Sequence, residues 1–272
     1  MNLNFERAGG GDPVLLIHGL GGHLGQWRPV AELLAADHEV LAVDLPGFGR
    51  SPMPGDPALL SAPRLAATLA EFCREQGVAR PRVAGNSLGA WVGLEMARAG
   101  EASSVVGISA AGLWRQPPGP RRYDTYRAGR ALRPLVATLL RSKRGRAWML
   151  RRFVARPDRV ALGEARELIY GYLNAPGYPA ASEYMRGHAL EAPEEISVPV
   201  TLAWGEEDRL VGRPSRSRRP PGARYVEMPG WGHTPSWDDP RGVAALIAGQ
   251  EFFSAQFPGA EAESQVSVRR DS

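Results

Sequence analysis

The chain has 272 residues, 33 Lys plus Arg against 29 Asp plus Glu, a formal charge of +4, and 43% hydrophobic and 23% charged residues. That composition excludes disorder as the main state and is long enough to bury one large α/β core. Cys73 is the single cysteine, so an intramolecular disulfide and a multi-cysteine zinc cluster are excluded, and a reducing, cytoplasmic setting is expected.

Glu6 and Arg7 interrupt any apolar leader at the start of the chain, and no run approaches the length of a membrane span, so no membrane partner is expected. The apolar run Val14 to Ile17 reads as a buried strand, as does Glu39 to Leu45, which ends at Pro46 and Gly47. Between them Trp27, Val30, Leu33 and Leu34 recur at helical spacing. A longer helix is predicted over Ala62 to Gln76, with Ser61 as its N-cap. Arg82 to Gly85 is the next strand, Leu88 to Ala99 the next helix and Ser104 to Ser109 the strand after that. Such alternation requires a parallel sheet with helices on both faces.

From Leu113 to about Ile196 the alternation breaks. Helical apolar rows replace it, among them Leu132, Leu135, Val136 and Leu139, separated by Pro and Gly clusters. The charge is concentrated here: residues 113–156 hold twelve arginines and Lys143 against one acid, Asp124, a local +12 that leaves −8 for the rest of the chain. Lys143 is the only lysine, so the heavy use of Arg, Ala and Gly also fits a GC-rich bacterial genome. The block lacks interleaved aromatics and any nucleic-acid-binding motif, so no nucleic acid is expected. Its arginines are read either as a solvated face or as an attraction for an anionic small-molecule substrate.

The alternation resumes with strands at Val198 to Trp204 and Tyr225 to Met228 and a closing helix over Ala244 to Phe253. The domain expectation is a core of residues 1–112 and 197–254, a helical insertion over 113–196, and a polar tail over 255–272.

The sharpest local motif is Gly85-Asn86-Ser87-Leu88-Gly89, set between a predicted strand and a predicted helix. A G-x-S-x-G at a strand-to-helix turn strains the backbone of the serine and exposes its hydroxyl at a helix N-terminus. The small flanking residues let strand and helix approach closely. The Leu88 amide then points where an oxyanion would form. Of five histidines, His233, in the loop Pro229-Gly230-Trp231-Gly232-His233-Thr234-Pro235, is best placed to swing over the sheet edge as general base. His18 is read as orienting the loop after it. An imidazole base needs an acid to fix its tautomer. Three compete in Trp204-Gly205-Glu206-Glu207-Asp208, and Asp208, deepest in the loop, is preferred.

The order Ser87, Asp208, His233, with His18-Gly19-Leu20-Gly21-Gly22 and Asp44-Leu45-Pro46-Gly47-Phe48-Gly49-Arg50-Ser51, resembles the α/β-hydrolase fold superfamily from about Asn4 to Phe253. The resemblance implies an eight-stranded, mostly parallel sheet with a helical cap after the sixth strand. It also implies an oxyanion hole of the Leu20 and Leu88 amides, each contributing on the order of 3 kcal/mol to the transition state. It gives the Asp44 to Ser51 stretch a structural role, and puts Gly19, Trp27, Asn86 and Trp231 at the substrate pocket. Neither metal nor cofactor is implied. The family's epoxide hydrolases and haloalkane dehalogenases carry aspartate at the elbow, where this chain has Ser87. The expected activity is serine hydrolysis of a small ester, thioester or lactone. The alternatives are carbon–carbon hydrolysis of ring-fission diketones, whose enzymes share an Asn before the nucleophile, and a non-catalytic ligand-binding member.

Overall fold

A computed structural model describes residues 1–120 and 125–249. Among them seven strands form one sheet: β1 (Phe5–Ala8), β2 (Asp12–Ile17), β3 (His38–Val43), β4 (Arg82–Asn86), β5 (Ser104–Ile108), β6 (Val200–Gly205) and β7 (Arg224–Met228), in the order β1-β3-β2-β4-β5-β6-β7. All neighbours pair parallel except β1, which runs antiparallel to β3. The helices of the core are α1 (Arg28–Leu34), α2 (Ala62–Glu75), α3 (Leu88–Arg98) and α9 (Pro240–Ala248). Between β5 and β6 lie α4 (Thr125–Ala131), α5 (Arg133–Arg141), α6 (Lys143–Leu150), α7 (Leu162–Asn174) and α8 (Tyr178–Gly187).

The central strands β2 to β6 are largely apolar and buried because both faces of the sheet are covered there. Alternate residues divide between two cores: Leu15, Ile17, Leu41, Val43, Val83 and Val105 pack with α2 and α3, while Val14, Leu16, Val40, Ala42, Ala84 and Val106 pack with α1 and α9. Full burial of each such Val, Leu or Ile side chain contributes about 1.5–3 kcal/mol. The helices between β5 and β6 have a third core, built on Val136, Leu140, Leu150, Val154, Ile169 and Leu173.

Two expectations are corrected here. The sheet has seven strands among the described residues, not eight, and the inserted helices therefore follow the fifth strand, not the sixth. The sheet ends at β1, where Glu6 and Arg7 are exposed and Arg7 pairs with Glu39 of β3, a charged edge that admits no further strand readily. Ser61 does stand at the N-cap of α2, but its hydroxyl donates to the Ala58 carbonyl instead of accepting from the helix. The closing helix begins four residues earlier than predicted, because Asp239 caps it through the Gly242 amide and Pro240 fits its first turn. Its expected end at Phe253, the 255–272 tail, and Arg121, Arg122 and Asp124 of the basic block lie outside the described residues.

Among the described residues no helix is long and apolar enough to cross a membrane.

Candidate active site

Parallel strands deliver their C-terminal ends to one edge of the sheet, and there the predicted site residues meet. Ser87 joins β4 to α3 with φ 54° and ψ −112°, a conformation an L-residue adopts only under constraint. The constraint is visible in its backbone: the amide donates to the Ile108 carbonyl at 2.9 Å and the carbonyl accepts from Ala111 at 3.1 Å. A Cβ on Gly85 would lie 2.3 Å from the Gly89 backbone, and one on Gly89 would lie 2.3 Å from the Ile17 carbonyl oxygen. Both positions therefore require glycine for the strand and helix to close.

His233 and Asp208 come together across the β6–α9 region, with Nδ1 of the imidazole 2.9 Å from Oδ2 of the carboxylate. The Asp208 side chain is 1% exposed. Its Oδ1 accepts from the Leu210 amide at 2.8 Å and the Val211 amide at 3.1 Å. Burial alone would raise this carboxyl; the hydrogen bond and charge of His233, then the Ser109 hydroxyl and the Leu210 amide, more than offset it, so the pKa lies below the ordinary value. Ser109 is fully buried, in a left-handed conformation at φ 49°, and its hydroxyl makes no well-aligned hydrogen bond. Glu206 and Glu207 are exposed, and Glu207 pairs with Arg209.

The loop after β2 leans on the elbow: a Cβ on Gly19 would sit 3.3 Å from the Ser87 Cβ. His18 anchors it. Its Nε2 accepts from the Leu45 amide at 3.0 Å, which leaves Nδ1 to donate to the Gly19 carbonyl at 2.8 Å. Complete burial drives the His18 pKa down to about 4, against the pull of Asp44, so the ring is neutral as these bonds require. Asp44 holds the neighbouring turn, accepting from the Leu24 and Arg50 amides and from Asn4. Among the described residues no hydrogen bond takes up the Leu20 or the Leu88 amide.

Three of the four predicted pocket residues have other work. Trp27 and Trp231, each 1% exposed, are packed in the core under α1 and α9, and the Trp231 indole donates to Asp239. This corrects their assignment to the pocket: both loops pass the sheet edge, but their large indoles turn into the apolar layer. Asn86 Nδ2 donates to the His233 carbonyl at 2.7 Å and to the Ile108 carbonyl at 3.3 Å, and so ties the elbow to the histidine loop.

The inserted helices reach the site at two places. Tyr172 of α7 and Tyr178 of α8 pack against Gly21, whose φ of +79° and missing side chain admit them. A cavity of about 460 Å³ beside Tyr178 is also walled by Tyr126, Pro179, Ser182 and Arg186, and contains none of Ser87, Asp208 or His233. On the other side Asp238, five residues after His233, accepts from the amides of Ala155 and Arg156 beyond α6 and of Gly232 in the histidine loop, at 2.8–3.2 Å. Burial raises its pKa, and these three amides offset only part of that. Asp238 was not legible as a site residue, since nothing in its spacing announces that the segment meeting it comes from 82 and 83 residues upstream.

The alpha/beta hydrolase family profile matches residues 14–246, most of the chain and every residue named above around Ser87. The chain belongs to that family. Epoxide hydrolase EphH of Mycobacterium tuberculosis is 30% identical over 187 residues, which cover 64% of this chain and 86% of that one. RutD of Azorhizobium caulinodans, provisionally named a carbamate hydrolase, is 40% identical over 98 residues, only 36% of either length. Among solved structures, an enol-lactonase from Burkholderia xenovorans LB400 aligns with a TM-score of 0.70 at 19% identity, over 91% of this chain and 95% of that one. At that identity the likeness shows the fold alone.

Proposed function

We propose that this family member is a serine hydrolase of a small ester, thioester or lactone. In this reading Ser87 Oγ attacks the substrate carbonyl as His233 removes its proton, and Asp208 holds the imidazole's tautomer and stabilises its charged form. The Leu20 and Leu88 amides receive the developing oxyanion. His233 then protonates the leaving group, and a water deprotonated by His233 releases the acid from Ser87. The observation that carries the reading is the 2.9 Å contact between His233 and a buried Asp208, in a loop that Asn86 ties to the elbow where Ser87 is held at positive φ. Serine, not aspartate, at the elbow argues against epoxide opening in this chain, whatever the name of its relative.

The second reading, carbon–carbon hydrolysis, rested on Asn86. Since that side chain amide is committed to two carbonyls, it no longer speaks for a substrate of that kind. The domain division carried by the reading is a core of 1–112 and 197–254 with residues 113–196 as its cap, supported by the separate apolar cluster of the inserted helices. An anionic substrate is the form its +12 block favours, drawn in by long-range attraction.

A screen of esters, thioesters, lactones and a vinylogous 1,5-diketone, with Ser87→Ala as control, tests the proposal. Turnover of at least one of the first three, lost by orders of magnitude in the variant, is expected; turnover of the diketone alone, or activity unchanged by the substitution, overturns it.

A further inference from the structure

Among the described residues the most exposed large hydrophobic side chains lie on α5 and α6. Trp148 is 60% exposed and Leu132 and Leu135 are each 53% exposed, although indoles elsewhere, such as Trp27, Trp91, Trp204 and Trp231, are fully buried. Single exposed leucines are ordinary; a tryptophan and two leucines, all more than half exposed within seventeen residues of chain, are not. The first turn of α6 packs against the end of α5, where Arg146 donates to the Leu140 and Arg141 carbonyls, so the two helices are tied to each other at the bend.

The charge on this corner is of one sign. Residues 125–157 contain no Asp or Glu. Arg141, Lys143 and Arg144 are exposed at the bend, and among the described residues none of them has an acidic partner. The acids of the adjoining α7 are already engaged: Glu164 caps the Ala161 amide, and Glu167 faces Arg28. Arg151 lies over the Trp148 ring at 4.7 Å and donates to its carbonyl, holding the indole outward with one face still open.

We infer that the α5–α6 corner docks on the surface of an anionic phospholipid bilayer. Arginine and lysine meet headgroup phosphates, the Trp148 indole sits at the headgroup level, and Leu132 and Leu135 reach the acyl boundary. This is the combination by which an amphipathic segment lies on a membrane without crossing it. Nucleic acid would take the charge but has no use for the two leucines, and a second copy of the chain would bring the same cations face to face. The inference departs from the expectation of no membrane, which rested on the lack of an apolar leader and of a spanning run and not on the surface of these helices. It does not rest on the chemistry at Ser87.

Co-sedimentation with vesicles tests it, using phosphatidylcholine alone and phosphatidylcholine with roughly 30 mol% phosphatidylglycerol. The full chain is expected to bind the anionic vesicles at low salt, to leave the neutral ones in solution, and to show a blue shift of tryptophan emission on binding. Trp148→Phe should abolish the shift. The triple variant Arg141→Gln, Lys143→Gln, Arg144→Gln should weaken partitioning roughly a hundredfold, about fivefold for each basic group. Circular dichroism matching the parent protein verifies that both variants fold. Ser87→Ala should bind vesicles like the parent, which separates this result from that of the hydrolase reading. No binding to anionic vesicles, equal binding to neutral ones, full binding by the triple variant, or binding to duplex DNA of the same strength with no Trp148 shift would each overturn the inference.

Discussion

The side chain of Asn86 donates to the backbone carbonyl of His233 at 2.7 Å, so the residue before the elbow serine holds the loop of the histidine proposed as its base. The two residues are 147 apart in the chain, and the bond is buried. Asn86→Ala removes it and leaves the Ile108 carbonyl with one donor fewer. The hydrolase should keep its KM within a few-fold and lose kcat by roughly ten- to a hundredfold, the cost of a histidine displaced by about an ångström. Steady-state kinetics on any substrate turned over by the parent protein decide the matter; a change confined to KM would return Asn86 to the pocket.

Asp238 makes a second tie, between the histidine loop and the segment after α6. In Asp238→Ala the amides of Gly232, Ala155 and Arg156 lose their common acceptor. Amide exchange should accelerate at Gly232 and at Thr234, whose amide bonds Phe153 at 2.7 Å, while the sheet strands remain protected. Exchange unchanged in this loop would show that Asp238 does not hold it.

The pH dependence of stability follows from His18. Its folded pKa is about 4 and its ordinary value is 6.5, so between these values the unfolded chain binds the proton that the folded one refuses. Stability should therefore be full above pH 6.5 and fall as the pH drops towards 4, by on the order of 3 kcal/mol across the window. Urea denaturation at steps from pH 7.5 to 5, above the range in which most carboxylates titrate, isolates the effect. His18→Asn should lower stability at pH 7.5 and flatten the dependence; an equally steep curve in the variant would assign the loss to other groups.

How much of this was legible in the sequence differs from residue to residue. Strands β2 to β6 were readable because both-sided burial makes them largely apolar, whereas β1, Phe5-Glu6-Arg7-Ala8, is a charged edge strand and carries no such run. The elbow was readable because only glycine fits at 85 and 89, a constraint written in composition. Trp27 and Trp231 were misassigned because proximity in a loop does not tell which way an indole turns. The row Leu132, Leu135, Val136 and Leu139 marks an apolar arc but not which side of it is covered, and α5 buries only the Val136 and Leu140 side.

The basic block makes a kinetic prediction. Most of its described arginines are exposed, so their effect on a soluble anionic substrate is long-range and is screened within about 10 Å at 0.1 M salt. Across a salt series, kcat/KM for an anionic ester should fall more steeply than for its neutral analogue. Equal salt sensitivity would remove attraction of the substrate by the cap.

The central claim is that Ser87 is the nucleophile, activated by His233 and Asp208. Its most direct test is labelling of the native protein with a fluorophosphonate, followed by mapping of the adduct by mass spectrometry. One adduct on Ser87 is expected in the folded protein, absent in Ser87→Ala and formed far more slowly in His233→Ala. A folded protein that takes no label at Ser87, or that labels equally well without it, would contradict the account.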